Sequence, residues 1–233
     1  MCGISSRRRA DDLIRKGAVS VNGRCVMELG MRVDTGSDRV EVGGKALSLE
    51  RKRYLVLNKP KLCLTQLGPD ARGRDTVERY ISDIEERVFP VGRLDYDTVG
   101  LLFFTNDGEL AQRIHHPSFR IEKHYRAIVR GRAEERDVER MRKGTLLRDG
   151  TATPDSVRII RYEGENTHIA ISFHEGRKHI VKRYLLSFGF RVERLMRTRI
   201  GPLTLGKLPR GEWRELSEGE LKALRKQAGL KSG

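Results

Sequence analysis

The sequence predicts an α+β protein, a small N-terminal module followed by a larger second domain. Three observations carry this. Two hairpin signals, Asn22-Gly23 and Gly43-Gly44, fall within the first 48 residues. A polar, charged stretch at 49–53 then reads as a linker before residues 54–233. From Tyr54 onward strands and helices interleave at irregular spacing, which argues against a regular parallel βαβ series. The 233 residues are enough to bury a sizeable core.

In the first module, Ser6 can cap a short helix through Arg15, with Ala10, Leu13 and Ile14 at helical spacing. "AVSVNGRCV" alternates Val19 and Val21 before the Asn22-Gly23 turn, and "RVEVGGKAL" turns at Gly43-Gly44. In the second part, "YLVLNKP" is a short apolar strand ending at Pro60. "TVERYISDIEE" reads as a helix with Val77, Tyr80, Ile81 and Ile84 on one side. "LLFFT" is a buried strand. Asn106 or Asp107 caps the helix "GELAQRIHH", which Pro117 stops. "HYRAIVRG" alternates like a strand, and "AEERDVERMRKG" is a polar helix closed by Gly144. "SVRIIRY" and "THIAISF" flank the turn "EGEN". "KHIVKRYLLSFG" is an amphipathic helix ending at Gly189, and "RVERLMRTRIGPLTL" reads as paired strands. Ser217 and Glu220 form a capping box on the last helix.

Lys and Arg outnumber Asp and Glu by 47 to 32, a net charge of +15. Such an excess concerns partners more than fold, and polyanions come first. The segment from Arg177 to Arg214 holds eleven basic residues against Glu193 and Glu212. A solvated face is the plain reading of a charge run, but one this dense repels itself unless an anion meets it. No run approaches 18 apolar residues, and "MCGISSRRRADD" lacks the apolar core of a secretory signal. Cys2, Cys25 and Cys63 are scattered and odd in number, which fits a reducing cytoplasm and neither a disulfide framework nor a zinc site.

Three motifs fail on inspection. "GPLTLGKL" ends in Leu208, without a hydroxyl for magnesium, and Pro209 spoils the helix that a phosphate loop needs. The histidines of "HEGRKH" are five apart, whereas the zinc-protease motif needs four on one helical face. His115 and His116 sit where a helix end favours a cation. No metal site is expected.

The most informative stretch is "FPVGRLDYDTVGLLFFTNDGEL", Phe89 to Leu110, where an aspartate stands beside a nearly continuous apolar strand. An acid so placed must be paired, solvated or used. On spacing alone, Asp95 or Asp97 is a turn aspartate capping local amides. The surrounding blocks point further. "LNKP", "GRLDYDTVGLLFFTNDGELAQRIHHP", "EKHYRAIVRG", "EGRKHIVKRYL" and "RIGPLTLGKLPRGEWRELSEGEL" occur in order. Together they resemble the pseudouridine synthases, in the ribosomal RNA branch typified by RsuA and RluB, across nearly all of residues 5–217. "SRRRADDLIRKGAVSVNGRCV" and "DRVEVGGKAL" resemble the alpha-L RNA-binding domain first known from ribosomal protein S-four.

The resemblance implies a catalytic domain on a mixed, mainly antiparallel sheet flanked by helices. It implies Asp95 as catalytic aspartate and nucleophile, and Tyr125, in a Lys-x-Tyr with Lys123, as the residue stacked on the uracil. Lys182 would be the basic partner of Asp95, where many relatives carry Arg. Arg93 would fill the space left by a flipped-out base. Arg7, Arg8, Arg9, Arg15 and Lys16 would lie along RNA phosphates, and Arg177, Lys178 and Arg183 would add contacts. The implied partner is ribosomal RNA or a ribosomal subunit precursor. The chain is expected to be monomeric, cytoplasmic and free of cofactor, since the isomerisation neither oxidises nor phosphorylates anything.

The residue types suit that chemistry. A carboxylate must stay ionised in a largely apolar pocket; burial raises an Asp pKa, and a cation within about 4–6 Å lowers it again. Stacking on an aromatic ring holds a base with about 1–3 kcal/mol. Leaving the helical stack costs a few kcal/mol, which phosphate contacts can offset. Plainer readings stand beside each role. Tyr125 fits a core tyrosine, Lys182 an ordinary helix-surface ion pair, and Arg177 a turn residue. Lys59 is read as shaping a strand exit, with RNA contact open. A non-catalytic RNA-binding factor and an RNA hydrolase are the rival functions.

Overall fold

The computed structural model describes residues 7–34 and 36–230, Arg7 as backbone only. Cys2 and the expected Ser6 cap lie outside the described residues. The chain divides into two compact units, one up to Arg51 and one from Lys52 onward.

The first unit opens with helix α1, Arg7–Arg15, and continues with strands β1 (Val19–Val21), β2 (Arg24–Val26), β3 (Val40–Val42) and β4 (Lys45–Ala46). The strands form a sheet in the order β2-β1-β3-β4. Both tight turns use left-handed backbone at two successive residues, Asn22 and Gly23 (φ 51° and 77°) and Gly43 and Gly44 (φ 56° and 78°). That geometry matches the twist of the strands it joins and explains why Asn-Gly and Gly-Gly stand there. Ala10, Leu13 and Ile14 of α1 are half-buried, while Arg8, Arg9, Arg15 and Lys16 are exposed.

The second unit contains strands β5 (Tyr54–Lys59), β6 (Phe89–Pro90), β7 (Val99–Thr105), β8 (Lys123–Arg130), β9 (Thr145–Leu147), β10 (Gly150–Ala152), β11 (Ser156–Glu163), β12 (Asn166–Phe173), β13 (Val192–Ile200), β14 (Leu203–Thr204) and β15 (Trp213–Glu215). Its helices are α2 (Gly108–His115), α3 (Glu135–Arg142), α4 (Ile180–Ser187) and α5 (Glu218–Gln227). The main sheet runs β11-β12-β8-β13-β7-β5-β15, with β6 on β7 and β14 on β13. Every neighbouring pair is antiparallel except β13 and β7. The sheet is therefore mixed and mainly antiparallel, and the fold is α+β.

Helices cover both faces. Val138 and Met141 of α3 and Ile180, Val181, Tyr184 and Leu185 of α4 pack with Ala127, Val129, Ile169 and Ile171. On the other face α2 and α5 bury Leu110, Ile114 and Leu224 against Val56, Leu101 and Phe103. Leu102 and Phe104 point back to the first face, with Leu55 and Leu57. Strand β7 is thus buried on both sides, which is why it reads as an unbroken apolar run instead of an alternating one.

Asp107 is the cap of α2, accepting from the Leu110 amide at 3.3 Å. Ser217 and Glu220 make the expected reciprocal box on α5, at 3.2 and 3.0 Å. Two elements differ from expectation. The helix read over "TVERYISDIEE" is a single 3-10 turn, Val77–Tyr80. The backbone leaves helical geometry at Ile81 (φ −129°). The Val77 amide instead bonds to Leu64 O at 2.9 Å, in a parallel bridge of Leu64 with Thr76. Tertiary pairing overrides the local pattern. The β9–β10 hairpin was not expected at all. No helix among the described residues is long and apolar enough to cross a membrane.

Candidate active site

The site grows from one row across the sheet. Tyr125 on β8 pairs with Arg197 on β13, Arg197 with Gly100 on β7, and Gly100 with Lys59 on β5. Gly100 has φ +107°, and a Cβ there would lie 2.2 Å from the Arg197 carbonyl oxygen. Only glycine lets these two strands approach so closely.

Lys59 ends β5 fully buried, and its Nζ donates to the carbonyls of Pro60 (3.0 Å), Asp95 (3.2 Å) and Thr98 (2.9 Å). All three ammonium hydrogens are thereby matched to acceptors. Burial pushes its pKa down to about 8, although the carboxylates of Asp95 and Asp97 favour the charge. RNA cannot reach this lysine, so the open possibility of a contact there closes. The loop it holds is fixed from the side as well. Thr65 Oγ1 donates to Leu94 O at 2.8 Å and accepts from the Leu94 amide at 3.2 Å, while the Leu62 amide donates to Tyr96 O at 2.8 Å.

On that loop the Asp95 side chain is about a quarter exposed (24%) and faces α4. Lys182 Nζ stands 3.3 Å from Asp95 Oδ2 and 2.5 Å from Asp97 Oδ1, so one ammonium serves two carboxylates. His179 Nε2 lies 3.6 Å from Asp95 Oδ1. Burial raises the Asp97 carboxyl, but the Lys182 hydrogen bond and charge outweigh it and hold the pKa below the usual range. His179 is in the left-handed region (φ 55°) at the start of α4. That conformation is costly for a residue with a Cβ and points to a constrained position. It turns the imidazole toward Asp95 while Lys182 sits one helical turn on.

Tyr125 is half-buried and packs against the cluster that contains Leu94, the residue before Asp95. Two residues earlier on the same face, Lys123 is buried and donates to His174 O at 2.7 Å, anchoring the segment that leads to His179. Burial, with the nearby Arg197 charge, pushes its pKa down to about 8. Arg197 is itself buried, its Nε donating to Leu101 O at 2.8 Å. Lys59 thus holds the acidic loop directly, with the buried Arg197 close by.

The structure brings Asp95 and Lys182 into an ion pair and sets Tyr125 in the wall behind the loop. Arg93 and Lys178 are exposed beside it. Arg177 and Arg183 are engaged within the protein. Arg177 donates to the carbonyls of Gly150 (2.9 Å) and Thr151 (2.8 Å) and pairs with Glu175, and Arg183 grips Asp149 with two bonds of 2.9 and 2.8 Å. They clamp the β9–β10 hairpin to α4. The Arg183 bonds in turn hold the Asp149 carboxyl below its usual range. Of Arg7 the side chain lies outside the described residues. Sequence reasoning missed His179, Arg197 and Thr65; the left-handed His179 backbone and the cross-strand row appear only in three dimensions. Among the described residues no three His, Cys, Asp or Glu side chains group as metal ligands would.

The family model for RNA pseudouridylate synthase matches residues 53–187, which includes the whole Asp95 loop, Tyr125 and Lys182. The chain belongs to the RNA pseudouridine synthase family. It falls in the RsuA/RluB branch, and the enzyme's N-terminal unit carries the S4 domain, matched over residues 3–40. An uncharacterised RNA pseudouridine synthase of Aquifex aeolicus is 56% identical over 98% of this chain and 92% of its own. The ribosomal large subunit pseudouridine synthase B of Bacillus subtilis is 38% identical, covering 96% of this chain and 91% of its own. A crystal structure of a pseudouridylate synthase superposes with a TM-score of 0.65 at 28% identity, covering 96% and 95% of the two chains. The enzyme is thus a pseudouridine synthase acting on RNA.

Proposed function

We propose that the enzyme isomerises specific uridines of ribosomal RNA, with Asp95 as the nucleophile toward a target nucleotide flipped out of its helix. The observation that carries this is the Asp95 carboxylate, held 3.3 Å from the Lys182 ammonium on a loop whose backbone the buried Lys59 fixes. The reaction breaks the bond between uracil N1 and ribose C1′ and joins C5 to the same C1′; N1 gains a proton and C5 loses one. A carboxylate paired with an ammonium on a braced loop is set to attack the nucleoside with little reorganisation of its surroundings. Lys182 balances its charge, Tyr125 stacks on the base through the rearrangement, and Arg93 enters the vacated stack.

The substrate reading rests on relatives named ribosomal large subunit pseudouridine synthase B, from Bacillus subtilis and Pseudomonas aeruginosa. In this proposal residues 1–48 dock RNA through the exposed cations of α1, 49–53 link, and 54–233 catalyse, in the cytoplasm and as a monomer. Asp95→Asn is nearly isosteric, so the expected outcome is RNA affinity within about threefold of wild type and no measurable isomerisation. Turnover at the wild-type rate in that variant would refute the aspartate's role. Comparing pseudouridine maps of ribosomal RNA from cells with and without the protein identifies the target. Identical maps would remove the ribosomal assignment.

A further inference from the structure

Among the described residues of the second unit, one region of the main sheet has no helix packed on it. On the face opposite Tyr125, α2 and α5 pack over β5 and β7, but none of the three core clusters draws a residue from that side of β8, β12 or β11. The strand registers show what lies there. Arg158 stands opposite Ala170, Ala170 opposite Arg126, and Arg126 opposite Met196. The next rung reads Arg161, His168, Ile128 and Arg194, and beyond it Asn166 faces Arg130. All five arginines are exposed.

The acidic groups at this face are few, and Glu122 is taken by His124 at 3.1 Å. Glu163 takes Arg161 at 3.2 Å and His168 at 2.6 Å, and Glu193 accepts from Asn166 at 3.2 Å. Among the described residues, Arg126, Arg130, Arg158 and Arg194 have no hydrogen-bonded carboxylate. Scattered surface arginines are ordinary solubility devices. Arg126, Arg130 and Arg158, together with Arg194, which only shares the field of Glu163, crowd one sheet face and repel one another, in a chain already at +15, unless an anion is laid across them.

We propose that this face is a second RNA-docking surface, which holds the phosphate backbone of a segment beyond the target stem. The proposal rests on the reading of RNA as substrate and adds where else that RNA is gripped. From β11 to β13 the surface spans three strand spacings, roughly 14 Å, and successive rungs are about 7 Å apart. Successive rungs can therefore meet successive phosphates. Arginine is suited to this, offering two parallel donors to one phosphate. Phosphate contacts position without reading sequence, so this surface sets affinity and leaves the chemical step alone.

The test uses the full-length protein with R126T, R158T and R194T combined, threonine keeping the strand preference, and the matching triple lysine variant. Binding is titrated between 50 and 200 mM salt on a long ribosomal RNA fragment containing the modified stem, and on that stem-loop alone. On the long fragment the salt slope should shrink by about three and KM should rise about tenfold, with kcat unchanged and lysine restoring both. The isolated stem-loop should behave as with wild type. An unchanged slope on the long fragment, as expected if an acidic protein occupies this face, overturns the proposal, and so does an equal loss on the stem-loop. If the triple variant fails to fold, R126T and R158T singly read the same slope, about one unit each. Wild-type protein that binds the long RNA with the full slope yet isomerises nothing would end the catalytic reading and leave this surface standing.

Discussion

Lys59 shows how much one buried residue can decide. Its ammonium is the post on which the backbone of the Asp95 loop hangs, through Pro60, Asp95 and Thr98. Asp95, Tyr125 and Lys182 were singled out from motif blocks, and the fold sets Lys182 against Asp95 and packs Tyr125 beside Leu94. Lys59 stood in one of those blocks, yet nothing in "LNKP" says that the side chain turns inward. The pKa of about 8 gives a pH test. Below pH 8 both folded and unfolded chains carry the proton, and the cost of burying the charge is present in full. Between about pH 8 and 10 the folded protein has released that proton and the unfolded chain still binds it, so stability rises with pH. The stability of wild type relative to Lys59→Met should therefore increase by on the order of 1–3 kcal/mol from pH 8 to pH 10. Lys123 shifts alike in both proteins and cancels from the comparison. Denaturant melts across that range measure it, and a flat or falling difference contradicts the assignment.

At the scale of elements, the clearest readings were those where local chemistry and tertiary role agree. The Asn22-Gly23 and Gly43-Gly44 hairpins, the Asp107 cap and the Ser217 box all formed as residue type and spacing demand. Ser217→Ala should cost about 0.5–2 kcal/mol, visible in thermal unfolding. The readings failed where a distant partner decides. Leu64 draws the segment after Thr76 out of a helix. The β9–β10 hairpin, which turns at Arg148 and Asp149, is fastened by Arg177 and Arg183 from the loop before α4 and from α4 itself. Gly100 is the element-scale lock of the site, since β7 and β13 touch through it. Gly100→Ala puts a methyl group against the Arg197 carbonyl and strains the backbone, so a loss of roughly 3 kcal/mol or more is expected. A variant that melts with wild type would show that the strands can part at no cost.

For the whole molecule, the two units differ sharply in core. Among the described residues Val21 is the single buried hydrophobic side chain before Arg51, whereas all three core clusters belong to the second unit. Apolar burial is the main driving force for folding, so the second unit should carry nearly all of the stability. A fragment from Lys52 onward should unfold cooperatively with a midpoint within a few degrees of the full chain. It should also isomerise a short stem-loop, with weaker binding of longer RNA. A fragment that is unfolded by circular dichroism would show that the first unit is structurally required.

By itself the sequence determined the α+β class, the turns and caps, the basic character and the acid at position 95. Each follows from residue type, period or motif within a short window. The tertiary structure alone decided which cations meet that acid, which arginines are locked into a hairpin, and which face of the sheet stays uncovered. Those outcomes depend on strand register and burial, which bring residues as distant as Lys59, Tyr125, Lys182 and Arg197 to one place, and no local pattern encodes them.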